Sequence, residues 1–392
     1  MKGLKFAMYT ILTLNKISDK GLACFDASKY TCTSEADQPD AIIVRSASMH
    51  DMELPAPLLA VARAGAGYNN IPVPTCTEKG ICVFNTPGAN ANAVKELVIC
   101  ALFLASRKIV PATEWCRTLK GSGDQVSKTV EKGKSNYAGP EIFGKTLGVY
   151  GLGAIGILVA NAAAALGMKV IGYDPYLSDK AASALDKSIV LTANEEDLFT
   201  QTDYLTLHAP LTDSTRGIVN AQNLAKAKDG IRVLNFARGE LVNSADIIEA
   251  VKSGKCGAYA TDFPTDEQLG VDGIIAIPHL GASTPESEEN CAVMAANQIS
   301  DYLENGNVVN SVNLPALQKD KDGKIRLAVI SNGDVAECVK ACLSDNNIVI
   351  NSYDSKLRGE IGYAVFDTDS EPNEDVIEAL KEVANVIAVR II

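Results

Sequence analysis

The chain reads as an α/β protein: two doubly wound parallel-sheet domains followed by a small ferredoxin-like α+β module. Three observations predict this. Short apolar runs alternate with helix-periodic segments from the N-terminus to about residue 305, the pattern of a parallel sheet covered on both faces. One of those runs, Thr146–Tyr150, leads directly into Gly151-Leu-Gly153-Ala154-Ile155-Gly156 and then a helix-like segment, 157–166. Beyond residue 324 the order changes to strand, helix, strand, strand, helix, strand, the ferredoxin-like succession.

Each element follows from its residues. The first 14 residues carry two lysines before a short apolar stretch, but they lack a small-residue cleavage pattern and run into Lys16, Asp19 and Lys20. They read as a first β-strand rather than a secretion signal. Strand-like runs follow at 41–45, 58–64 and 81–84, the second ending in the turn Gly65-Ala66-Gly67. Residues 91–110 predict one long helix, with Val94, Leu97, Val98, Ala101, Leu102 and Ala105 on one face. Residues 117–140 are polar and read as a loop or crossover. Further strands are expected at Lys169–Tyr173, 204–208, 231–236, 258–262 and 274–278, and a helix at 285–303. The module offers strands at 324–330, 348–356, 362–367 and 386–391, with helices at 336–343 and 374–383. The expected domains are 1–92 (completed by a helix at 286–305), a dinucleotide-binding domain at 93–285, a linker at 306–323 and the module at 324–392.

The formal charge of −12 argues against a general nucleic-acid or anionic-membrane binder. No apolar run reaches the roughly 20 residues that span a bilayer. The ten cysteines form no C-x-x-C pair, and Cys338 and Cys342 have no histidine companion, so no metal site is expected. Scattered thiols fit a reducing cytoplasm.

The glycine-rich segment is the most informative. Gly151 allows a tight turn, Gly153 lets backbone approach a pyrophosphate, and Gly156 lets helix and strand pack closely. The helix N-terminus adds N–H donors and partial positive charge. Asp174 ends the next strand-like run, eighteen residues after Gly156. Its carboxylate can accept from both ribose hydroxyls and would repel a 2′-phosphate, so the expected cofactor is NAD rather than NADP.

Hydride chemistry on a hydroxy acid needs a base, a cation for the carboxylate and developing carbonyl, and a group that orients the base. Only three histidines are available. His279 ends an apolar run, His208 ends another and can face the cofactor, and His50 lies in a polar loop. Arg238 follows an apolar run and can make a two-point contact with a carboxylate. Acidic partners for His279 cluster at Asp262, Asp266 and Glu267. Arg45 with Ser46, and Arg63 before the Gly65–Gly67 turn, can take a substrate phosphate or carboxylate.

These residues, with the segments Val-Arg45-Ser-Ala, Arg63-Ala-Gly-Ala-Gly-Tyr-Asn-Asn70-Ile, Asn85-Thr-Pro-Gly-Ala-Asn90 and Pro278-His279-Leu-Gly-Ala-Ser-Thr, resemble the D-isomer-specific 2-hydroxyacid dehydrogenases over about residues 40–315. The last stretch resembles an ACT domain. The resemblance implies that Arg238 binds the substrate carboxylate and C2 oxygen, that His279 is the acid/base, and that Glu267 pairs with it. The segment 262–267 is one residue shorter than the family pattern and lacks its proline, so Asp266 remains an alternative. Asp262 would contact the nicotinamide amide. Gly151, Gly153, Ala154, Ile155, Gly156, Asp174, His208, Pro210, Thr215, Ala237 and Gly281 would line the cofactor. Arg45, Ser46, Gly65, Ala66, Gly67 and Asn90 would contact substrate, Arg63 a phosphate, with Lys134 in a poorly matched loop nearby.

The implied activity is NAD-dependent oxidation of a phosphorylated 2-hydroxy acid, 3-phospho-D-glycerate, to 3-phosphohydroxypyruvate in serine biosynthesis. Reduction of glyoxylate, hydroxypyruvate or another short 2-keto acid is the second reading, and a non-enzymatic NADH-sensing binder the third. A cytoplasmic homodimer or homotetramer is expected. Asn69 and Lys95 depart from the family pattern, and Ile330-Ser-Asn-Gly-Asp-Val lacks the loop of serine-binding ACT domains.

Overall fold

The computed structural model describes residues 8–392. It forms two compact units: the chain up to Asn90 together with Pro285–Ile392, and Ala91–Thr284. Of the expected N-terminal strand, residues 1–7 lie outside the described residues, and the strand runs over Tyr9–Leu14.

The first unit holds a five-stranded parallel sheet. Its strands are β1 (Tyr9–Leu14), β2 (Tyr30–Thr33), β3 (Ala41–Val44), β4 (Ala60–Arg63) and β5 (Cys82–Phe84), in the order β2-β1-β3-β4-β5. Alternation divides their side chains between two faces. Leu12, Ile42, Val44, Val61 and Val83 fill one core. Ile11, Ile43, Ala62 and Phe84 fill the other, against the helix Pro285–Asn305. That helix turns Cys291, Ala292, Ala295, Ala296, Ile299 and Leu303 inward at three- and four-residue spacing. It starts on a proline and carries Glu286 and Glu288 in its first turn, which suits the positive end of its dipole.

The second unit holds a seven-stranded parallel sheet: β6 (Thr146–Tyr150), β7 (Lys169–Tyr173), β8 (Val190–Leu191), β9 (Tyr204–Leu207), β10 (Ile231–Asn235), β11 (Cys256–Thr261) and β12 (Ile274–Ala276). The order β12-β11-β10-β9-β6-β7-β8 reverses direction at β6, the switch point where open sheets bind ligands.

Two expectations in this unit are corrected. The helix expected over 91–110 ends at Arg107, because Lys108 takes a left-handed conformation (φ 46°), and a second helix runs over Ile109–Thr118. The stretch 117–140 is helical rather than a loop, with a helix at Val126–Gly133 and short 3₁₀ turns at Gly123–Gln125 and Lys134–Tyr137. These helices bury no residue, so they carry little of the apolar periodicity that reveals a helix. Trp115 stacking on Tyr137, with centroids 5.2 Å apart, ties the segment together.

The C-terminal module is an antiparallel sheet of β13 (Ile325–Asn332), β14 (Ile350–Arg358), β15 (Ile361–Thr368) and β16 (Val386–Ile391), ordered β14-β15-β13-β16. The helices Ala336–Asp345 and Glu374–Lys381 cover one face through Val339, Leu343 and Leu380. Ala328, Ile330, Tyr363 and Val365 on the other face join the core beneath Pro285–Asn305, which explains why the module falls within the first unit. Arg326 and Asp367 are both fully buried and paired. Arg326 Nη1 also donates to the Asn305 and Lys319 carbonyls, and Lys319 Nζ lies 2.9 Å from Asp367 Oδ2. Burial pushes the Asp367 carboxyl up, but Arg326 and Lys319 more than offset this and hold it well below the usual carboxylate range.

Candidate active site

At the switch point, Gly151 leaves β6 with φ +92°, and a Cβ there would lie 2.8 Å from the backbone of His208 and Ala209. A Cβ on Gly156 would lie 2.0 Å from the Gly151 carbonyl oxygen, whereas one on Gly153 meets nothing within 4 Å. Gly156 therefore serves packing, and Gly153 leaves open space at the N-terminus of the helix Ala154–Ala165, which a phosphate would use. Ala154 and Ile155 form that helix's first turn. Asp174 follows β7, and its Oδ2 accepts from the Leu152 backbone N–H at 2.9 Å while Oδ1 accepts from Tyr176 at 2.8 Å. It thus braces the glycine turn from the position expected of a ribose ligand.

His208 follows β9 and donates its backbone N–H to the Tyr150 carbonyl. Its Nε2 lies 3.0 Å from Thr206 Oγ1, and its Nδ1 is buried without a partner. Burial pushes its pKa down to about 3, so the ring is neutral at physiological pH. Pro210 and Thr215 shape the loop beyond it, Thr215 Oγ1 donating to the Pro210 carbonyl at 2.7 Å.

Three neighbouring strands, β10, β11 and β12, deliver Arg238, Asp262 and His279 just past their C-terminal ends. The register pairs Asn235 with Thr261 and Thr261 with Ala276. Asn235 fixes the turn after β10: its Oδ1 accepts from the Ala237 N–H and its Nδ2 donates to the Arg238 carbonyl at 2.8 Å. The Arg238 and His279 side chains are exposed. The His279 ring lies 4.5 Å from that of Phe263, tilted by 49°.

Asp262 is buried, and neither carboxylate oxygen has a hydrogen-bond partner. Burial raises its pKa, opposed by the positive charges of His279 and Arg238. Gly281 packs against it, since a Cβ there would come within 3.4 Å of Oδ2. An orphaned carboxylate beside the site suits an amide N–H donor. With the open glycine cradle and Asp174, these residues fit a nicotinamide dinucleotide.

Glu267 and Asp266 are both exposed, on the turn Asp266–Gln268. Gln268 Nε2 donates to Ser244 Oγ at 3.0 Å, and Ser244 Oγ lies 2.9 Å from Thr265 Oγ1, tying that turn to the helix Ser244–Lys252. Among the described residues no hydrogen bond or ion pair joins either acid to His279; the carboxylate within electrostatic reach of the imidazole is Asp262.

The first unit carries its own cluster at the ends of β3 and β4, where Val44 and Arg63 are register partners. Arg63 Nε donates to the Arg45 carbonyl at 3.0 Å. Its guanidinium lies where a Cβ on Gly65 would be 1.6 Å from Nη1, so a larger residue there would push the Arg63 side chain away. Burial lowers the Arg63 pKa. The Gly65–Gly67 backbone is held by the Thr86 N–H on Gly65 O and by Asn85 Nδ2 on Ala66 O at 2.6 Å. The Ser46 N–H donates to Asn15 Oδ1 at 3.1 Å. Asn90 is half-buried. Lys134 pairs only with Glu131, at 2.5 Å on an exposed helix face. His50 is exposed, its Nε2 2.9 Å from the Asn69 carbonyl. Sequence reasoning missed Glu288, whose Oε1 lies 2.7 Å from Arg45 Nη2. No local pattern connects residues so far apart in the chain.

Residues 100–282 match the family described as D-isomer specific 2-hydroxyacid dehydrogenase, NAD binding domain. This stretch, just under half of the chain, is similar to the NAD-binding domain of that family. Over a longer stretch, the chain is 32% identical over 363 residues to D-3-phosphoglycerate dehydrogenase of Bacillus subtilis, covering 86% of this chain and 65% of that protein. The chain thus spans under two thirds of that relative's length. Among solved structures, cofactor (NAD+)-bound 3-phosphoglycerate dehydrogenase of Entamoeba histolytica superposes with a TM-score of 0.58 at 25% identity, over 79% of this chain and 100% of that one. A glyoxylate reductase from Paecilomyes thermophila superposes with a TM-score of 0.63 at 26% identity, over 78% and 98%. Among the described residues no helix is long and apolar enough to cross a membrane, and no group of three metal-ligating side chains occurs.

Proposed function

We propose that the chain oxidises 3-phospho-D-glycerate to 3-phosphohydroxypyruvate with NAD, the first step of phosphorylated serine biosynthesis. The observation that carries this is the delivery of Arg238, Asp262 and His279 by three adjacent strands of a dinucleotide-binding sheet. His279 accepts the C2 hydroxyl proton. Arg238 holds the carboxylate and stabilises charge on the C2 oxygen. Asp262 accepts from the nicotinamide carboxamide. Glu267 remains the family's candidate partner for His279, and would have to turn toward it on binding. Bound NAD supplies the hydride acceptor. Arg45 and Arg63 hold the distal phosphate, with Ser46, the Gly65–Gly67 backbone and Asn90 lining the remainder. Identity to the phosphoglycerate dehydrogenase of Bacillus subtilis over 86% of this chain supports the substrate assignment.

A second reading, reduction of glyoxylate or hydroxypyruvate, is favoured by one observation: Glu288 neutralises Arg45, leaving less charge for a phosphate. Comparing kcat/KM for 3-phospho-D-glycerate, D-glycerate and glyoxylate decides between them. Strong preference for the phosphorylated acid is expected; equal values would defeat the phosphate role of the two arginines. The protein works as a cytoplasmic homodimer or homotetramer in this reading, with the C-terminal module acting as an ACT domain.

A further inference from the structure

The two arginines at the ends of β3 and β4 are not electrostatically equivalent. Arg45 Nη2 lies 2.7 Å from Glu288 Oε1. Among the described residues the Arg63 side chain makes one hydrogen bond, from Nε to the Arg45 carbonyl, and no acidic side chain pairs with it. On the helical side, Glu288 of Pro285–Asn305 reaches Arg45, and Cys291, one turn further on, lies within electrostatic reach of Arg63. Both members of the pair stay partly open, with side-chain exposures of 37% and 41%, so a dissolved anion can compete for Arg45. The helix itself is fixed, since Gly21 packs so closely on Ala292 that a Cβ would come within 2.4 Å of the Ala292 Cβ. Glu288 is therefore presented by a rigid element and does not drift in by chance.

We propose that Glu288 is a specificity-determining residue that sets how strongly this cluster discriminates for a doubly charged distal group. This rests on the assignment of Arg45 and Arg63 to the substrate's distal end. With Glu288 in place the cluster presents one compensated and one uncompensated guanidinium. A dianionic phosphate must share or displace the carboxylate, whereas an uncharged distal group meets no such competitor. Glu288 thus lowers affinity for any small anion and compresses the preference for phosphorylated over unphosphorylated substrate, keeping inorganic phosphate and sulfate from blocking the site.

The test is E288Q, which keeps the side chain's size and removes its charge. Two quantities are read: the ratio of kcat/KM for 3-phospho-D-glycerate over D-glycerate, and the inhibition constant of inorganic phosphate. Freeing Arg45 from its competing carboxylate is expected to raise the ratio, and tighten phosphate inhibition, by about three- to tenfold. The effect shrinks as salt is raised toward 1 M. An unfolding midpoint unchanged from wild type certifies the fold of the variant. The same substitution in an R45A background is expected to have no effect. An E288Q protein with wild-type ratio and inhibition constant overturns the proposal, as does an equal effect in both backgrounds. If R45A itself leaves discrimination unaltered, the distal-anion assignment falls and this inference with it; if R45A matters but E288Q does not, only the role of Glu288 is lost.

Discussion

Arg326 and Asp367 meet inside the C-terminal module as a two-point ion pair, with Nε to Oδ1 at 2.7 Å and Nη2 to Oδ2 at 2.9 Å, both side chains wholly out of solvent. Removing one partner strands the other charge. D367A is expected to cost about 3–5 kcal/mol, read from urea unfolding at pH 7. Because the folded Asp367 carboxyl titrates well below its unfolded value of about 3.9, its stabilisation is complete above that pH and declines as pH falls through and below it. Unfolding midpoints at pH 7, 5 and 3 should show a steep acid loss in wild type and a shallower one in D367N. Parallel acid profiles would remove the pair from the account.

The glycine turn separates packing from binding. G156A forces a Cβ onto the Gly151 carbonyl at 2.0 Å and is expected to lower the thermal midpoint by several degrees. G153A meets no atom within 4 Å, so it should melt like wild type yet bind NAD at least tenfold more weakly, as measured by NADH fluorescence titration. Normal NAD affinity in G153A would contradict the placement of the pyrophosphate there.

His279→Ala is expected to reduce turnover by about 10²–10⁴ while retaining NAD affinity, the usual contribution of a positioned proton acceptor. Wild-type turnover in that variant would take His279 out of the chemistry.

His208 should not titrate in the physiological range, since burial holds its pKa down to about 3. The unfolded ring, near 6.5, takes a proton that the folded one refuses, so this group opposes folding progressively as pH drops below about 6.5. In an NMR titration its ring protons should stay still between pH 5 and 8. H208Q should show a weaker loss of stability over pH 6.5 to 4 than wild type.

The positions of the glycine turn, Asp174 and the strand ends at 238, 262 and 279 were legible because they are marked locally, by a turn or by the end of an apolar run. The module's β-α-β-β-α-β succession was legible for the same reason. The helices between 109 and 137 were not, because they bury nothing and so leave no apolar stripe. The orientation of Glu267 was hidden as well. The resemblance implied a partner for His279, but the bonds among Ser244, Thr265 and Gln268 that hold its turn are tertiary. Glu288 escaped notice because its partner lies at the other end of the sequence.

The helix Pro285–Asn305 has a mechanical consequence. Near its start it holds Glu288 against Arg45; at its finish the Asn305 carbonyl accepts from Arg326, and the Tyr302 carbonyl from Arg390. About 25 Å of close-packed rod separates the two ends. A small tilt of the β13–β16 sheet would therefore be levered, with little loss, to the carboxylate that shadows Arg45.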